Sequence, residues 1–223
     1  MKRLALSVAA LVTAVFAVGC GEPKSVLLKR PANKEADAAV TQLWDQDIKR
    51  VAQDGDWILS RGYYMTSDAI STFTRGEDLS HASIYDAKRG TIIESVGSGV
   101  REIPLDKLIQ RNAHLIVVRP SGMTAAERTR SVERARSRMG QKFDNLGLIG
   151  LGSEDKVYCS ELLWWAAQME MRTGDHQTVI TPSELMEYGE VVYWSGERDS
   201  EQIMQLAVEH ENAGVSNRRV AAR

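Results

Sequence analysis

Apolar residues recur at helical spacing in several parts of the chain. Intervals of three and four residues predict a helix over 34–53. A second helix is predicted over 124–139, where Thr124 is followed three residues later by Glu127, the pattern of a capping box. Two more stretches with helical spacing lie at 104–111 and 157–171.

Short runs of apolar and β-branched residues between turn-forming residues predict strands. The segment 62–79, rich in Ser, Thr, Asp and Gly, is predicted to be a long loop with at most a short helix. Strand patterns dominate before Pro120 and helical patterns after it, so we predict an α+β fold with a small antiparallel sheet or barrel packed against helices. The predicted strands are 56–60, 80–86, 91–96, 100–103, 114–119 and 191–194.

The first twenty residues have the pattern of an export signal. Met1-Lys2-Arg3 is basic, residues 4–16 are apolar, and small residues precede Cys20. The sequence around Cys20 resembles a bacterial lipoprotein cleavage box, except that Ala17 stands where leucine is usual. We therefore predict cleavage before Cys20 and a lipid on that residue. The alternative is an uncleaved anchor, although the apolar stretch is shorter than the roughly 20 residues that a membrane span needs.

These patterns divide the chain into four segments and predict its location. Residues 1–19 form the signal, 20–33 a lipidated tether, 34–195 one domain, and 196–223 a charged tail that is either a fraying helix or disordered. Gly21, rather than Asp, follows Cys20. In a Gram-negative host we expect an exported lipoprotein, anchored to the outer membrane and facing the periplasm.

Composition excludes several classes of partner. The net charge is -2, with no basic bias, so we expect no nucleic acid. The sequence has no clustered Cys and His set for a structural metal and no Gly-rich phosphate loop, so we expect no metal and no cofactor. Composition gives no basis for predicting an oligomeric state.

Cys159 is the main candidate for chemistry. The chain has two cysteines, and lipidation of Cys20 would leave Cys159 as the single free thiol of an exported protein. Cys159 is predicted near the start of a helix, where backbone N–H groups and the helix dipole favour a thiolate and can stabilise an oxyanion. The alternative is a buried core residue, because Leu162, Leu163 and Ala166 continue an apolar helix face.

A cysteine nucleophile needs a base and a group that orients the base. If Asp86 pairs with Thr91 across a hairpin, His81 and Glu94 share one face as diagonal neighbours, roughly 7–8 Å apart at the backbone. A carboxylate among apolar residues is costly without a partner, which favours an imidazole beside Glu94. The alternative is an incidental pair on a solvated face. The other histidines are expected at the surface or at strand edges: His114, His176 and His210.

Four segments, at 79–85, 92–95, 143–144 and 158–162, resemble the circularly permuted papain-like amidases. These are the YiiX/YaeF-like branch of the NlpC-type cysteine hydrolases, and the resemblance extends over about 54–194. It implies Cys159 as nucleophile, His81 as base and Glu94 as third member of the triad. It also implies that Tyr158 lines the substrate site and that Asp144 fixes a loop. One departure is Ser83, where the branch usually has glycine.

The resemblance implies a thiol hydrolase, or an acyltransferase, that cleaves an amide or ester through an acyl-cysteine intermediate. The expected substrate is a cell-wall peptide or a lipid-derived acyl group. One alternative is a non-catalytic envelope lipoprotein that binds a peptide or a lipid acyl chain in the same cleft. A second is a tethered structural protein whose tryptophans fill a core.

Overall fold

A computed structural model describes residues 24–73, 76–169 and 179–221. The predicted export signal, Cys20 and His176 lie outside the described residues. In the described ranges, no helix is both long enough and apolar enough to cross a membrane.

A six-stranded sheet forms the centre of the fold. In chain order its strands are β1 (Trp57–Gly62), β2 (His81–Asp86), β3 (Thr91–Val96), β4 (Gly99–Pro104), β5 (Asn112–Pro120) and β8 (Gly189–Trp194). Their order across the sheet is β4-β3-β2-β1-β5-β8, and each strand is antiparallel to its neighbours. A separate parallel pair consists of β6 (Lys142–Phe143) and β7 (Lys156–Val157).

The helices are α1 (Lys34–Val51), α2 (Met65–Phe73), α3 (Leu105–Gln110), α4 (Ala125–Ser137), α5 (Cys159–Ala167) and α6 (Glu201–Ala221). Helix α4 begins with the predicted capping box between Thr124 and Glu127. Helix α2 lies within the segment that we expected to be mainly loop. Short 3₁₀ turns occupy Gly147–Ile149 and Glu184–Tyr188.

Helices cover both faces of the sheet, because side chains alternate between the faces along each strand. Trp57 and Leu59 of β1 pack in one core with helices α4 and α5. Ile58, between them, packs in a second core with helices α1, α3 and α6. The predicted α+β architecture, with an antiparallel sheet packed against helices, is confirmed.

The hairpin of β2 and β3 has the predicted register. Asp86 pairs with Thr91, and Ser83 pairs with Glu94. The next turn leads into β4 at Gly99, whose φ of +101° lies in the left-handed region that favours glycine. A Cβ there would also lie 2.7 Å from the carbonyl oxygen of Gln141. Glycine at this position therefore fixes where β4 returns beside β3.

The fold continues beyond residue 195, where we expected a tail. Arg198 is fully buried, and its guanidinium donates to the carbonyl oxygens of Asn112, Asp37 and Ile109 and stacks on the ring of Trp44. Helix α6 follows and adds buried side chains to the second core. A high content of charged residues suggested a solvated tail, but a buried arginine whose donors are satisfied is compatible with a core.

Candidate active site

Cys159 is the first residue of helix α5, and two contacts to one residue fix its position. The preceding Tyr158 is extended (φ -93°, ψ 174°) and accepts a hydrogen bond from the Ile180 N–H through its hydroxyl, at 3.0 Å. The following Ser160 donates to the Ile180 carbonyl oxygen at 2.8 Å. Cys159 is buried, with 3% of its surface exposed. Its sulfur therefore lies at a helix N-terminus, where the helix dipole favours a thiolate.

His81 is the first residue of β2 and contacts both other members of the predicted triad. Its Nε2 lies 2.7 Å from Oε2 of Glu94. The ring also interacts with the side chain of Cys159, because each shifts the pKa of the other, and Nδ1 is the ring nitrogen that the Glu94 contact leaves for it. The imidazole thus bridges the thiol and the carboxylate, the arrangement of a nucleophile, a base and a group that orients the base.

Glu94 is fully buried and has two partners that the sequence analysis missed. Arg101 donates through Nε to Oε1 at 2.9 Å. Arg111 donates through Nη2 to Oε2, the oxygen that also contacts His81. The signal for Arg101 was present in the sequence, because in the hairpin of β3 and β4 it lies directly opposite Glu94. Arg111 follows helix α3 and comes close only through the fold.

These contacts shift the pKa values of all three groups. Burial disfavours the Cys159 thiolate, but His81 and the backbone N–H groups of Ala82 and Ser160 lower the pKa of Cys159 below its usual value. Burial alone would lower the pKa of His81, but Cys159 and Glu94 raise it to about 9. The thiolate and the imidazolium therefore favour each other.

The pKa of Glu94 follows the same logic. Burial would raise it, but the hydrogen bond and charge of His81 and the charge of Arg111 hold it well below the usual range. Glu94 is accordingly an anion that orients and balances the imidazolium rather than a proton donor.

A contact across the fold links β3, which carries Glu94, to β7, which ends two residues before Cys159. Ser95, next to Glu94, donates to the carbonyl oxygen of Val157 at 2.6 Å. Ser83 donates to the Ile58 carbonyl oxygen at 3.1 Å, so the serine in place of the usual glycine is satisfied within the sheet. The two hydroxyls thus tie the Glu94 strand to β7 and the His81 strand to β1.

Two other residues of the predicted set lie beside the site. Asp144 is buried and accepts hydrogen bonds from the N–H groups of Leu146, Gly147 and Ser153, the loop-fixing role expected for it. Tyr158 is also buried, and its hydroxyl is occupied by Ile180. Its contact with substrate stays a prediction.

The two other histidines of the described residues, His114 and His210, are outside this cluster. His210 is exposed on α6, as expected. His114 was expected at the surface or at a strand edge; it is buried on β5, with Nδ1 at 3.1 Å from Oε1 of Glu197. The burial follows from the extra residues after 195, because Glu197 and Arg198 cover this end of β5.

The fold and the site define a class of protein. A histidine strand, then an acid strand, then a cysteine helix is the chain order of permuted papain-like hydrolases, reversed from that of ordinary papain-like enzymes. The chain belongs to the permuted papain-like amidase family YaeF/YiiX, C92, whose family model matches residues 51–186. The resemblance inferred from the sequence is thereby confirmed, and the match includes Cys159, His81 and Glu94. No curated protein matches the chain significantly.

Proposed function

We propose that this protein is a cysteine hydrolase that cleaves an amide or ester bond through an acyl-cysteine intermediate. The observation that carries the proposal is the contact of His81 with both Cys159 and the buried Glu94. The lowered pKa of Cys159 and the raised pKa of His81 support a nucleophile that is ionised before substrate arrives. Membership of an amidase family supports the same reaction class.

In the acylation step, the Cys159 thiolate attacks the carbonyl carbon, and the C=O electron pair moves to the oxygen. Backbone N–H groups in the first turn of helix α5 stabilise this oxyanion. The intermediate collapses when the bond to the leaving amine or alcohol breaks, and the leaving group takes the proton of the His81 imidazolium. An acyl thioester on Cys159 and a neutral His81 remain.

Deacylation restores the starting state. Water attacks the thioester carbonyl while His81 takes its proton, and the second tetrahedral intermediate expels the Cys159 thiolate. The product is the free acid, and His81 is again an imidazolium beside Glu94. An amine or alcohol acceptor in place of water would make the same site an acyltransferase.

The proposed substrates are cell-wall peptides and lipid-derived acyl groups, which are within reach of a protein anchored to the periplasmic side of the outer membrane through a lipid on Cys20. Tyr158 is proposed to line the substrate side of Cys159. If a ligand bound here without turnover, a non-catalytic binding lipoprotein would replace the hydrolase.

Trapping the acyl-enzyme tests the proposal. The protein is mixed with activated acyl esters, cell-wall peptides and N-acyl amides, and the peptide containing Cys159 is analysed by mass spectrometry. We expect the mass of the acyl group on Cys159, and no adduct in Cys159→Ala. Turnover of a cleaved substrate by Cys159→Ala at the parent rate would disprove the nucleophile.

The proposed anchoring needs its own measurement. Mass spectrometry of the membrane-extracted protein should find an N-terminus at residue 20 carrying acyl chains. Cys20→Ala should leave an uncleaved or released precursor. An unmodified Cys20 at the mature N-terminus, or a retained Met1, would contradict the lipoprotein assignment.

A further inference from the structure

The carboxylate of Glu94 has three donors on its two oxygens. Arg101 occupies Oε1, while His81 and Arg111 share Oε2. The carboxylate is fully buried, whereas the side chains of Arg101 and Arg111 are 42% and 19% exposed. A triad needs only a carboxylate to orient its histidine. Two cations on that same carboxylate therefore require a reason.

We propose that Arg101 and Arg111 are positioning residues that fix the Glu94 carboxylate and set the pH range over which Cys159 and His81 form an ion pair. The inference rests on the proposed function, since it concerns how the same site works. Neither arginine contacts the reacting atoms, and each acts through Glu94.

The two arginines restrict rotation of the Glu94 carboxylate. Arg101 lies directly opposite Glu94 on β4, so its hydrogen bond to Oε1 is fixed by the register of the sheet. With Oε1 held, Oε2 is the oxygen that faces His81. The backbone of Arg111 is itself held, because its carbonyl oxygen accepts a hydrogen bond from Tyr63 at 3.3 Å. Two separate elements thus fix one carboxylate.

The two arginines also change the net charge beside His81 and Cys159. Glu94 alone would strongly stabilise the imidazolium, whereas two arginines more than cancel its charge. Removing one positive charge should stabilise the His81 imidazolium and destabilise the Cys159 thiolate. Both pKa values should therefore rise, and the pH range of the ion pair should move upward. At an effective dielectric constant close to that of water, as for these partly exposed arginine side chains, one charge about 4–6 Å away shifts a pKa by about half to one unit.

The other charged groups around the site have partners of their own. Arg61, on the strand next to β2, pairs with two carboxylates. Asp144, Glu161 and Glu184 each accept a hydrogen bond from a backbone N–H group. Asp68 and Asp78 pair with Arg61. They are common to all the variants below, so they do not bias the comparison. These groups are Arg61, Asp68, Asp78, Asp144, Glu161 and Glu184.

The first test measures protonation without requiring turnover. The His81 pKa is followed by NMR in the full chain carrying Cys159→Ala, with and without Arg111→Met. We expect Arg111→Met to raise the His81 pKa by about half to one unit, and Arg111→Lys, which keeps the charge, to shift it by much less. Arg101→Met should give a smaller rise, because Arg101 is more exposed and its charge is better screened.

The second test uses the thiol. The rate of Cys159 alkylation by iodoacetamide is measured against pH, with the modified peptide identified by mass spectrometry. In Arg111→Met the rise in rate should move to higher pH by about half to one unit. Arg119→Met is the matched control, because Arg119 pairs with the buried Asp56 at the other end of β1. It should leave the alkylation profile unchanged.

The outcomes separate this inference from the proposed function. A parent Cys159 that titrates like an ordinary thiol would overturn the activated nucleophile, while the His81 measurement would still decide the role of the arginines. Unchanged His81 and Cys159 profiles in folded Arg111→Met and Arg101→Met would overturn the positioning role. Should Arg111→Met fail to fold, Arg101→Met, which also removes one positive charge from Glu94, decides the question with a smaller expected shift.

Discussion

Two histidines, each paired with a glutamate, lie on the two strands that flank β1. His81 of β2 pairs across the sheet with Ser60, and His114 of β5 pairs with the next residue, Arg61. The first histidine lies 2.7 Å from a glutamate oxygen and the second 3.1 Å. The two histidines thus lie at neighbouring positions along β1 and have the same type of partner, although consecutive positions of a strand face opposite sides of the sheet.

Their surroundings separate them. Glu94 is fully buried and held by two arginines, whereas half of the Glu197 side chain is exposed. His81 interacts with the side chain of Cys159 at the start of a helix. Cys159 is the one free cysteine of the described residues. A histidine–carboxylate contact is therefore weak evidence for catalysis. A buried, charge-balanced acid and a thiol at a helix N-terminus are the stronger evidence.

The largest expected effect is on kcat/KM, when each of the two histidines is replaced by alanine in a separate variant. We expect His81→Ala to lower kcat/KM by at least about 10³-fold, because it removes the base and the partner of the thiolate. His114→Ala should keep turnover within a few-fold of the parent. Steady-state kinetics on any substrate found by acyl-enzyme trapping provides the measurement.

The comparison breaks if the two alanine variants lose activity equally. Thermal unfolding of both variants controls for misfolding, since each histidine is substantially buried. A folded His81→Ala protein with parental kcat/KM would show that His81 is not the base.

The second prediction replaces Glu94 or Glu197 by glutamine in separate variants. Glu94→Gln should lower kcat/KM by roughly 100-fold and leave measurable activity, because an amide can still orient the ring but cannot balance the imidazolium. Arg101 and Arg111 would then lack a counter-charge, so the alkaline limb of the pH–rate profile should move to lower pH. Glu197→Gln is the matched control, and we expect parental kinetics from it. Equal losses in the two variants would remove the distinction.

Much of this site could be predicted from the sequence because its geometry is local. The alternation of side chains in one hairpin places His81 and Glu94 together, and helical spacing places Cys159 at a helix start. The approach of that helix to the hairpin is not local. Only the family resemblance predicted that approach, because it depends on packing between residues that are far apart in the chain. Ser95 and Val157, which are 62 positions apart, meet in this way.

Arg111 and Arg198 show what local patterns could not give. Each lies in a polar stretch that suggests exposure, yet each meets a partner from a distant element: Glu94 for Arg111, and the carbonyl oxygens of Asn112 and Ile109 for Arg198. Whether a charged residue is buried depends on partners that the fold supplies. Arg198 therefore packs into the domain although it lies three residues beyond the predicted boundary at 195.

The third prediction concerns stability in acid. The pKa of Glu94 is held below that of an ordinary glutamate, near 4.5, by His81 and Arg111 against the effect of burial. Between that value and the lower folded pKa, the unfolded chain binds a proton that the folded protein does not. Glu94 should therefore stabilise the fold above pH 4.5, and this contribution should be lost as pH falls, at up to about 1.4 kcal/mol per pH unit.

Urea unfolding of the parent and Glu94→Gln across pH 3 to 6, in steps, measures this contribution as a difference in slope. The parent should lose stability faster than the variant as pH falls. Parallel curves would mean that Glu94 is not held as an anion in the folded protein.

The smallest expected effects come from two hydroxyls that accept a hydrogen bond from a buried backbone N–H. Tyr158 does so from Ile180 beside the cysteine helix, and Ser195 does so from Leu115 beside His114. Tyr158→Phe and Ser195→Ala should each lower the free energy of unfolding by about 1–3 kcal/mol, because each leaves that N–H without its partner.

Only Tyr158→Phe should also lower kcat, by a few-fold, since Ile180 holds the residues on both sides of Cys159. KM should stay near the parental value, because the ring is retained. Urea unfolding and kinetics on both variants measure the two effects, and an equal fall in kcat for Ser195→Ala would mean that loss of stability, rather than position beside Cys159, explains the change.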